Sequence, residues 1–350
     1  MKNKNFFKIS FIYFTAMISI AVLFVLGYFG IIQNEFLSSF LIQIVVMFAI
    51  PMLMYTALVS KNFKTTFKDA GFKKLTTKML FISIVLGVVL YFINSFVANF
   101  FYSIISLFGY ENLSSAQNVN LNYSFLFKEL VLSCILPGFC EEFLHRGILL
   151  HCGKKTAKPR YCLIISSILF GLMHLNIQQF FYASILGFLM GYVSLASDSI
   201  YPCIIIHFTN NFLSSYFYYG AKLNWPLATF VSNLEMALLS NFFLFAVTSL
   251  AFVGLLIHLY IHLTKKLVVE RAKRDMTTVV KEIGILNIPI EQAQERLDQI
   301  NYILKNSNSA KTVIGTNDIK LSLLEKAFII SSLILGALIT ICSFIWGIIW

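Results

Sequence analysis

The feature that most constrains this chain is a set of three charged residues inside a long apolar run. The run extends from about Phe125 to Cys152, which is long enough for a helix to cross a bilayer, and it contains Glu141, Glu142 and Arg146. A charge near the centre of a membrane helix costs roughly 2.5–3.5 kcal/mol on insertion-based scales. We therefore expect either a functional site inside the membrane or a polar cluster that locks helices together.

Helical spacing separates the roles of these charges. Glu142 and Arg146 are four residues apart, so they share a helix face and can neutralise each other. Glu141 points about 100° away from that face, which leaves its carboxylate outside the pair. Pro137 lies just upstream, where it removes a backbone donor and bends the helix. The pattern predicts a bent membrane helix with one unpaired carboxylate.

The amino-acid composition is that of a membrane protein. Hydrophobic residues make up 58% of the 350 residues and charged residues 12%, and the mean hydropathy is +0.78. These values indicate an all-α polytopic membrane protein whose partner is the lipid bilayer. The net charge of +11 does not indicate nucleic-acid binding, because most lysines lie in loops between apolar runs. The six cysteines show no Cys-x-x-Cys spacing, so we expect free, buried thiols.

The apolar runs predict a bundle of about eight to nine membrane-spanning helices with a cytoplasmic N-terminus. Every lysine-rich loop then falls on the cytoplasmic side, whereas the lysine-free loop 109–124 falls outside. The first predicted span ends at about Ile32, and the eighth ends near Thr264. The approximate bounds of the other seven are Phe36–Val59, Met79–Leu107, Phe125–Cys152, Tyr161–Leu175, Phe180–Ala196, Tyr201–Tyr219 and Ala327–Trp350.

The chain divides into five parts on this pattern. N-terminal membrane helices (1–124) precede a core that bears the polar residues (125–219) and an eighth membrane helix (220–264). A cytosolic segment (265–325) precedes the C-terminal membrane helix (326–350).

The cytosolic segment carries two apolar stripes at helical spacing, which predict an antiparallel hairpin. The stripes are Val268, Ala272, Met276, Val279 and Ile283, and Ile290, Ala293, Leu297, Ile300 and Leu304. They could pack on each other, on the bundle or on a partner protein.

Three further polar residues lie in predicted spans. His174 is on the fifth span, and His207 and Asn211 are four residues apart on the seventh, so they share one face. At 1.5 Å per residue, Glu141 lies roughly 18 Å and His174 roughly 20 Å from the cytoplasmic ends of their helices. Asn211 lies at roughly 13 Å on the same scale. Taken singly, each could be a packing residue; together they predict one intramembrane site.

These residues form three short motifs that follow one another along the chain. The motifs are Glu141-Glu142-xxx-Arg146, Phe170-xxx-His174 and His207-xxx-Asn211. In this order they resemble the CPBP family of CAAX proteases and bacteriocin-processing enzymes, also called the Abi or type II CAAX prenyl endopeptidase family. Gly71-Phe72-Lys73-Lys74 in the second cytoplasmic loop also fits the family.

The resemblance implies an intramembrane endopeptidase whose helices enclose a catalytic cavity. On that reading Glu141 and His174 activate water, whereas His207 and Asn211 stabilise the oxyanion. Glu142 and Arg146 support the first motif. The substrate would be a peptide or protein precursor in or on a bacterial cell membrane, reached from the cytoplasmic half.

Two alternatives stay open at this stage. A non-catalytic scaffold or bacteriocin self-immunity protein would keep the fold without the reaction. Family members have also been described as metalloproteases, and carboxylate and imidazole groups could hold zinc. Because the chain has no His-Glu-x-x-His motif and Arg146 would repel a cation unless Glu142 neutralises it, we favour a glutamate mechanism with no metal and no cofactor.

Overall fold

The chain is helical along nearly its whole described length, as the composition predicts. The computed structural model describes residues 4–111, 121–239, 242–286, 289–307, 309–314 and 319–349, and no strand occurs within these ranges. The helices are α1 (Lys4–Tyr28), α2 (Phe36–Ser60), α3 (Phe63–Asp69), α4 (Thr77–Ser106), α5 (Tyr123–Lys155), α6 (Pro159–Leu172), α7 (Ile177–Ser197), α8 (Tyr201–Lys222), α9 (Pro226–Leu239), α10 (Phe242–Leu286), α11 (Ile290–Lys305), α12 (Ala310–Ile314) and α13 (Leu323–Ile349). The prediction of a polytopic helical membrane protein is confirmed.

Seven of the described helices are long and apolar enough to cross a membrane, namely α1, α2, α4, α5, α7, α10 and α13. Two of the nine predicted spans do not meet both criteria. Helix α6 has 14 residues, or about 21 Å, which is shorter than a bilayer core of about 30 Å. Helix α8 has 22 residues, but its polar residues lower its hydropathy. Most of the predicted external loop 109–124 lies outside the described residues.

Small residues allow the helices around the site to approach closely. A Cβ atom on Gly187 of α7 would lie 3.2 Å from the carbonyl oxygen of Ser167 on α6, and one on Gly191 would lie 2.6 Å from a methyl group of Leu163. A Cβ atom on Gly138 of α5 would lie 3.3 Å from the backbone nitrogen of Phe208 on α8. Any larger residue at these positions would force the helices apart.

Two helices contain π-helical stretches near the site. In α5, π-helical turns at Leu130–Ile135 and Phe143–Cys152 flank the α-helical segment Leu136–Glu142. In α2, a π-helical stretch covers Leu41–Ala49. Such turns change which residues face a neighbouring helix, and they occur frequently at functional sites.

The hydrophilic segment after the eighth predicted span forms the expected helical hairpin. Helix α10 continues through Lys265 without a break for 45 residues, or about 68 Å, and α11 packs back against it. Their apolar stripes cover each other, with four buried residues at the centre: Ala272, Val279, Ala293 and Ile300. Met276, Leu297 and Leu304 pack around this cluster, while the side chain of Ile290 lies outside the described residues.

A charged cluster closes one end of the bundle, which we call the lysine-rich end after the lysines of loops 61–76 and 153–158. Asp198 lies in the turn between α7 and α8 and pairs with Lys73 and with Lys154, whose Nζ is 2.8 Å from Oδ1. Burial alone would raise the pKa of Asp198. The positive charges of Lys154 and Arg271, together with His151 and Lys73, outweigh it and hold the pKa well below its ordinary range.

We predict that Asp198→Asn destabilises the protein at neutral pH by about 2 kcal/mol, because ionised hydrogen bonds contribute about that much. Asp198 has φ +46°, and asparagine tolerates this left-handed conformation, so the substitution removes charge without backbone strain. Because the folded pKa is depressed, the contribution is present above the ordinary pKa of about 4 and is lost as pH falls through the folded pKa.

Thermal unfolding in detergent at several pH values tests this prediction. The difference between the wild type and Asp198→Asn should be full at pH 7 and should shrink below about pH 4. Asp298→Asn, on the exposed face of α11, is the matched control and should have little effect. A difference that does not change with pH would contradict the proposed origin of the stability.

Candidate active site

Glu141 lies near the middle of α5 and is nearly buried, with 8% of its surface exposed. Its Oε1 atom accepts a hydrogen bond of 2.8 Å from the side-chain amide of Gln43 on α2. Its Oε2 atom has no hydrogen-bond partner among the described residues. The expected unpaired carboxylate is therefore half satisfied, and one oxygen stays available as a proton acceptor.

A cavity of about 500 Å³ borders this carboxylate. Glu141 and His174 both line it, together with Gln43 and with apolar side chains of α1 and α2. The other lining residues are Ile20, Leu23, Phe24, Gly27, Tyr28, Ser38, Ile42, Met47, Met173 and Leu175. The sequence predicted that the carboxylate of Glu141 and the imidazole of His174 lie at the same depth, and in the structure both border this one cavity.

The cavity runs away from the lysine-rich end. Tyr28 ends α1 at the opposite end of the bundle, and Ser38 lies near the start of α2 at that same end. Phe24 and Tyr28 each expose more than half of their surface there. The sequence led us to expect access from the lysine-rich half. Because Glu141 lies near the middle of its helix, its depth did not indicate towards which end of the bundle, or between which helices, the cavity would open.

His174 follows the end of α6, and its tautomer is determined by a backbone contact. Its Nδ1 atom lies 3.0 Å from the carbonyl oxygen of Phe170. Since a carbonyl only accepts, Nδ1 carries the proton and donates it. The Nε2 atom of the neutral ring is then the basic nitrogen, which can orient a water molecule.

His207 lies between the two glutamates. Its Nδ1 atom is 2.9 Å from Glu142 Oε1, and its Nε2 atom is 3.9 Å from Glu141 Oε2. The first contact holds the ring with a proton on Nδ1, because the carboxylate only accepts. The second contact is too long to engage Nε2, which can donate to another group only when the ring carries a second proton. His207 is therefore positioned beside the unsatisfied oxygen of Glu141.

Asn211 lies one turn further along α8 and is engaged elsewhere. Its Nδ2 atom donates a hydrogen bond of 2.9 Å to the carbonyl oxygen of Ser133 on α5. Its Oδ1 atom accepts from Asn210 at 3.2 Å. Asn211 is not among the residues that line the cavity. In this conformation it ties α8 to α5, and a role in stabilising an oxyanion would require it to release Ser133.

The Glu142–Arg146 pair forms as its spacing predicts. Arg146 Nη1 donates to Glu142 Oε1 at 2.9 Å, and both side chains are fully buried. Arg146 Nη2 also donates to the carbonyl oxygen of Gly187 at 3.1 Å. The guanidinium lies 4.4 Å from the ring centroid of Phe170, a favourable cation–π distance.

Two neighbours of Glu141 were not singled out from the sequence. Gln43 could have been found, because a polar residue in an otherwise apolar span is itself a sign of a site. His145 comes four residues after Glu141, so from the sequence alone it could either orient Glu141 or face a loop. It is fully buried, with Nδ1 2.8 Å from the carbonyl oxygen of Glu141 and Nε2 2.9 Å from the hydroxyl of Tyr13 on α1.

The donors near Glu141 do not form a three-ligand metal site in this arrangement. Each of the two histidines has Nδ1 engaged, His174 with a backbone carbonyl and His207 with Glu142, which leaves Nε2 as the nitrogen that could still bind a ligand. Among the described residues, no group of three or more His, Cys, Asp or Glu side chains is placed to hold a metal ion. The glutamate mechanism without a metal stays a prediction, which the chelation experiment described below tests.

We predict that Arg146→Ala lowers the stability by roughly 3–5 kcal/mol, because it leaves the charge of Glu142 buried without its cation. Thermal unfolding and yield in detergent measure this effect. The double variant Glu142→Gln/Arg146→Met is the control, since it removes both charges and should recover part of the loss. A stable Arg146→Ala protein would show that the pair does not hold the site together.

The motif-bearing part of the chain has a recognisable relationship to known proteins. Residues 123–213 match the family model described as type II CAAX prenyl endopeptidase Rce1-like. No curated protein and no solved structure matches the chain. The matched segment is about a quarter of the chain and contains all six predicted site and supporting residues. Residues 123–213 are therefore similar to the Rce1-like type II CAAX prenyl endopeptidases, the family that the order of the three sequence motifs predicts.

Proposed function

We propose that this protein is an intramembrane endopeptidase that hydrolyses a peptide bond in a membrane-associated peptide or protein precursor. The observation that carries the proposal is the unsatisfied, nearly buried oxygen of Glu141 beside a cavity that His174 also lines. The family match supports a membrane endopeptidase in general terms. Glu142 also has an oxygen without a partner, but of the two carboxylates that of Glu141 borders the cavity. A pure scaffold would have no need of a costly unpartnered carboxylate oxygen beside a cavity.

In the proposed reaction, Glu141 Oε2 accepts a proton from a water molecule that His174 Nε2 orients. The water oxygen bonds to the carbonyl carbon of the substrate, and the carbonyl oxygen becomes an oxyanion. His207, as an imidazolium that keeps its Nδ1 proton on Glu142, donates from Nε2 to that oxyanion, and Asn211 joins it after releasing Ser133. The C–N bond then breaks, and the proton held by Glu141 passes to the leaving amine.

The shape of the cavity bears on how a substrate reaches Glu141. Its walls on α1 and α2 are mostly apolar, and it extends towards Tyr28 and Ser38 at the end opposite the lysine-rich one. With a cytoplasmic N-terminus in a bacterial membrane, as the lysine distribution favours, that end faces outward. We propose that an apolar segment of the substrate enters between α1 and α2 from that side of the membrane.

We predict that Glu141→Gln lowers turnover by at least about 100-fold, because it removes a general base. The assay uses the full-length protein in lipid vesicles with internally quenched peptides that carry an apolar segment. Glu129→Gln on the same helix is the control: Glu129 contacts Ser215 and does not line the cavity. Full turnover by a folded Glu141→Gln protein would rule out the general-base role.

The same assay tests the choice of a metal-free mechanism. Incubation with a chelator should leave turnover unchanged, and elemental analysis of the active protein should show no stoichiometric metal. One zinc ion per chain, lost together with activity, would overturn that choice.

We further predict that Gln43→Met lowers turnover about 10- to 100-fold while leaving the melting temperature almost unchanged. A hydrogen bond to a charged group contributes about 1.5–3 kcal/mol, and methionine fills similar space without the donor. Ser38→Ala is the control, because Ser38 lines the same cavity without a recorded bond to Glu141. Wild-type turnover by Gln43→Met would mean that Gln43 only fills space.

A further inference from the structure

A second recess lies at the lysine-rich end, well away from Glu141. It is a groove of about 650 Å³ between α4 and α10, and Ser307 closes it from the hairpin. Four lysines line it: Lys78, Lys265, Lys266 and Lys273. We call it the basic groove.

The basic groove lies where the membrane-spanning helices meet water. Lys78 is in the first turn of α4, directly before an apolar run. Lys265 and Lys266 follow the apolar part of α10 directly. Phe81, which also lines the groove, exposes 63% of its surface. This combination of cations and exposed apolar surface is typical of the boundary between headgroups and acyl chains.

The positive charge of the groove is largely uncompensated within the described residues. Lys273 is paired with Glu270 at 2.9 Å, and Glu270 is the one acidic residue that lines the groove. No ion pair or hydrogen bond of Lys78, Lys265 or Lys266 is recorded there. The neighbouring lysines of the same end behave differently. Lys154 is paired with Asp198 at 2.8 Å and Lys155 with Asp69 at 2.5 Å.

An apolar recess adjoins the basic groove. It has a volume of about 410 Å³ and lies between α7, α10 and α12. It shares Lys265 and Ser307 with the groove, so these two residues lie between the groove and the recess. Its walls are mainly Phe188, Leu189, Tyr192, Tyr260, Ile261, Val268, Val313 and Ile314.

We propose that the basic groove and the apolar recess together bind one anionic glycerophospholipid. The phosphate group lies among Lys78, Lys265 and Lys266, and part of an acyl chain occupies the recess. Lysine ammonium groups bind phosphate as point charges, and an adjoining apolar recess favours an amphiphile over a soluble anion. The bound lipid joins α4 and α10 of the bundle to the hairpin, which lies outside the family match of 123–213.

Binding of lipids to the full-length protein in neutral detergent tests the proposal, by native mass spectrometry and thermal unfolding. The probes are phosphatidylglycerol, phosphatidylcholine and soluble glycerol phosphate. Phosphatidylglycerol should bind and raise the melting temperature, whereas the other two should have little effect. Equal effects of phosphatidylcholine would overturn the charge argument, and equal effects of glycerol phosphate would overturn the lipid assignment.

Matched double variants locate the site. Lys265→Gln/Lys266→Gln should weaken phosphatidylglycerol binding about 30-fold, which corresponds to about 1 kcal/mol for each lysine. Lys64→Gln/Lys281→Gln removes the same charge from exposed positions elsewhere and should leave binding nearly unchanged. Equal weakening by both variants would show that binding follows the overall charge, and the proposal would be wrong. Peptidase activity is not needed for any of these readouts.

Discussion

The buried pair between Glu142 and Arg146 holds together the helices on which the site depends. Both residues belong to α5, but Arg146 also donates to Gly187 on α7 and lies over Phe170 on α6. Glu142 in turn accepts from His207 on α8. Two charges that would be costly alone in a bilayer thus become a connector between four helices. The small residues Gly187 and Gly138 let those helices come close enough for these contacts to form.

The two adjacent carboxylates, Glu141 and Glu142, have different roles in this arrangement. Glu142 accepts from Arg146 and His207 through Oε1 and does not line the cavity, whereas Glu141 places an oxygen without a hydrogen-bond partner beside the cavity. The separation follows from a rotation of about 100° between consecutive helical residues. His207 contacts Glu142 with one nitrogen and approaches Glu141 with the other. The supporting pair therefore also positions a residue of the proposed reaction.

The sequence predicted the parts of this picture that depend on periodicity. Spacing of four residues predicted the Glu142–Arg146 pair, and counting along helices placed Glu141 and His174 at one depth. The apolar stripes of 268–283 and 290–304 predicted the hairpin. What the sequence did not reveal depends on contacts between distant helices. Gln43 contacts Glu141 across 98 positions of the chain. The place of His151 near the end of its predicted span is typical of a residue at the membrane surface, but the side chain is buried, with Nε2 2.9 Å from the hydroxyl of Ser194. A hydropathy profile does not predict the π-helical stretches, and it does not predict the direction in which the cavity opens.

The most direct measurement is mass spectrometry of the peptides in membranes from cells that contain either the intact chain or Glu141→Gln at equal levels. If Glu141 is the base of a peptidase, one or more peptides with new C-termini will be present only with the intact chain. In heavy-oxygen water those C-termini will carry the label, because the incoming oxygen comes from water. Identical peptide sets from the two kinds of cell, with both proteins folded in the membrane, would contradict the account.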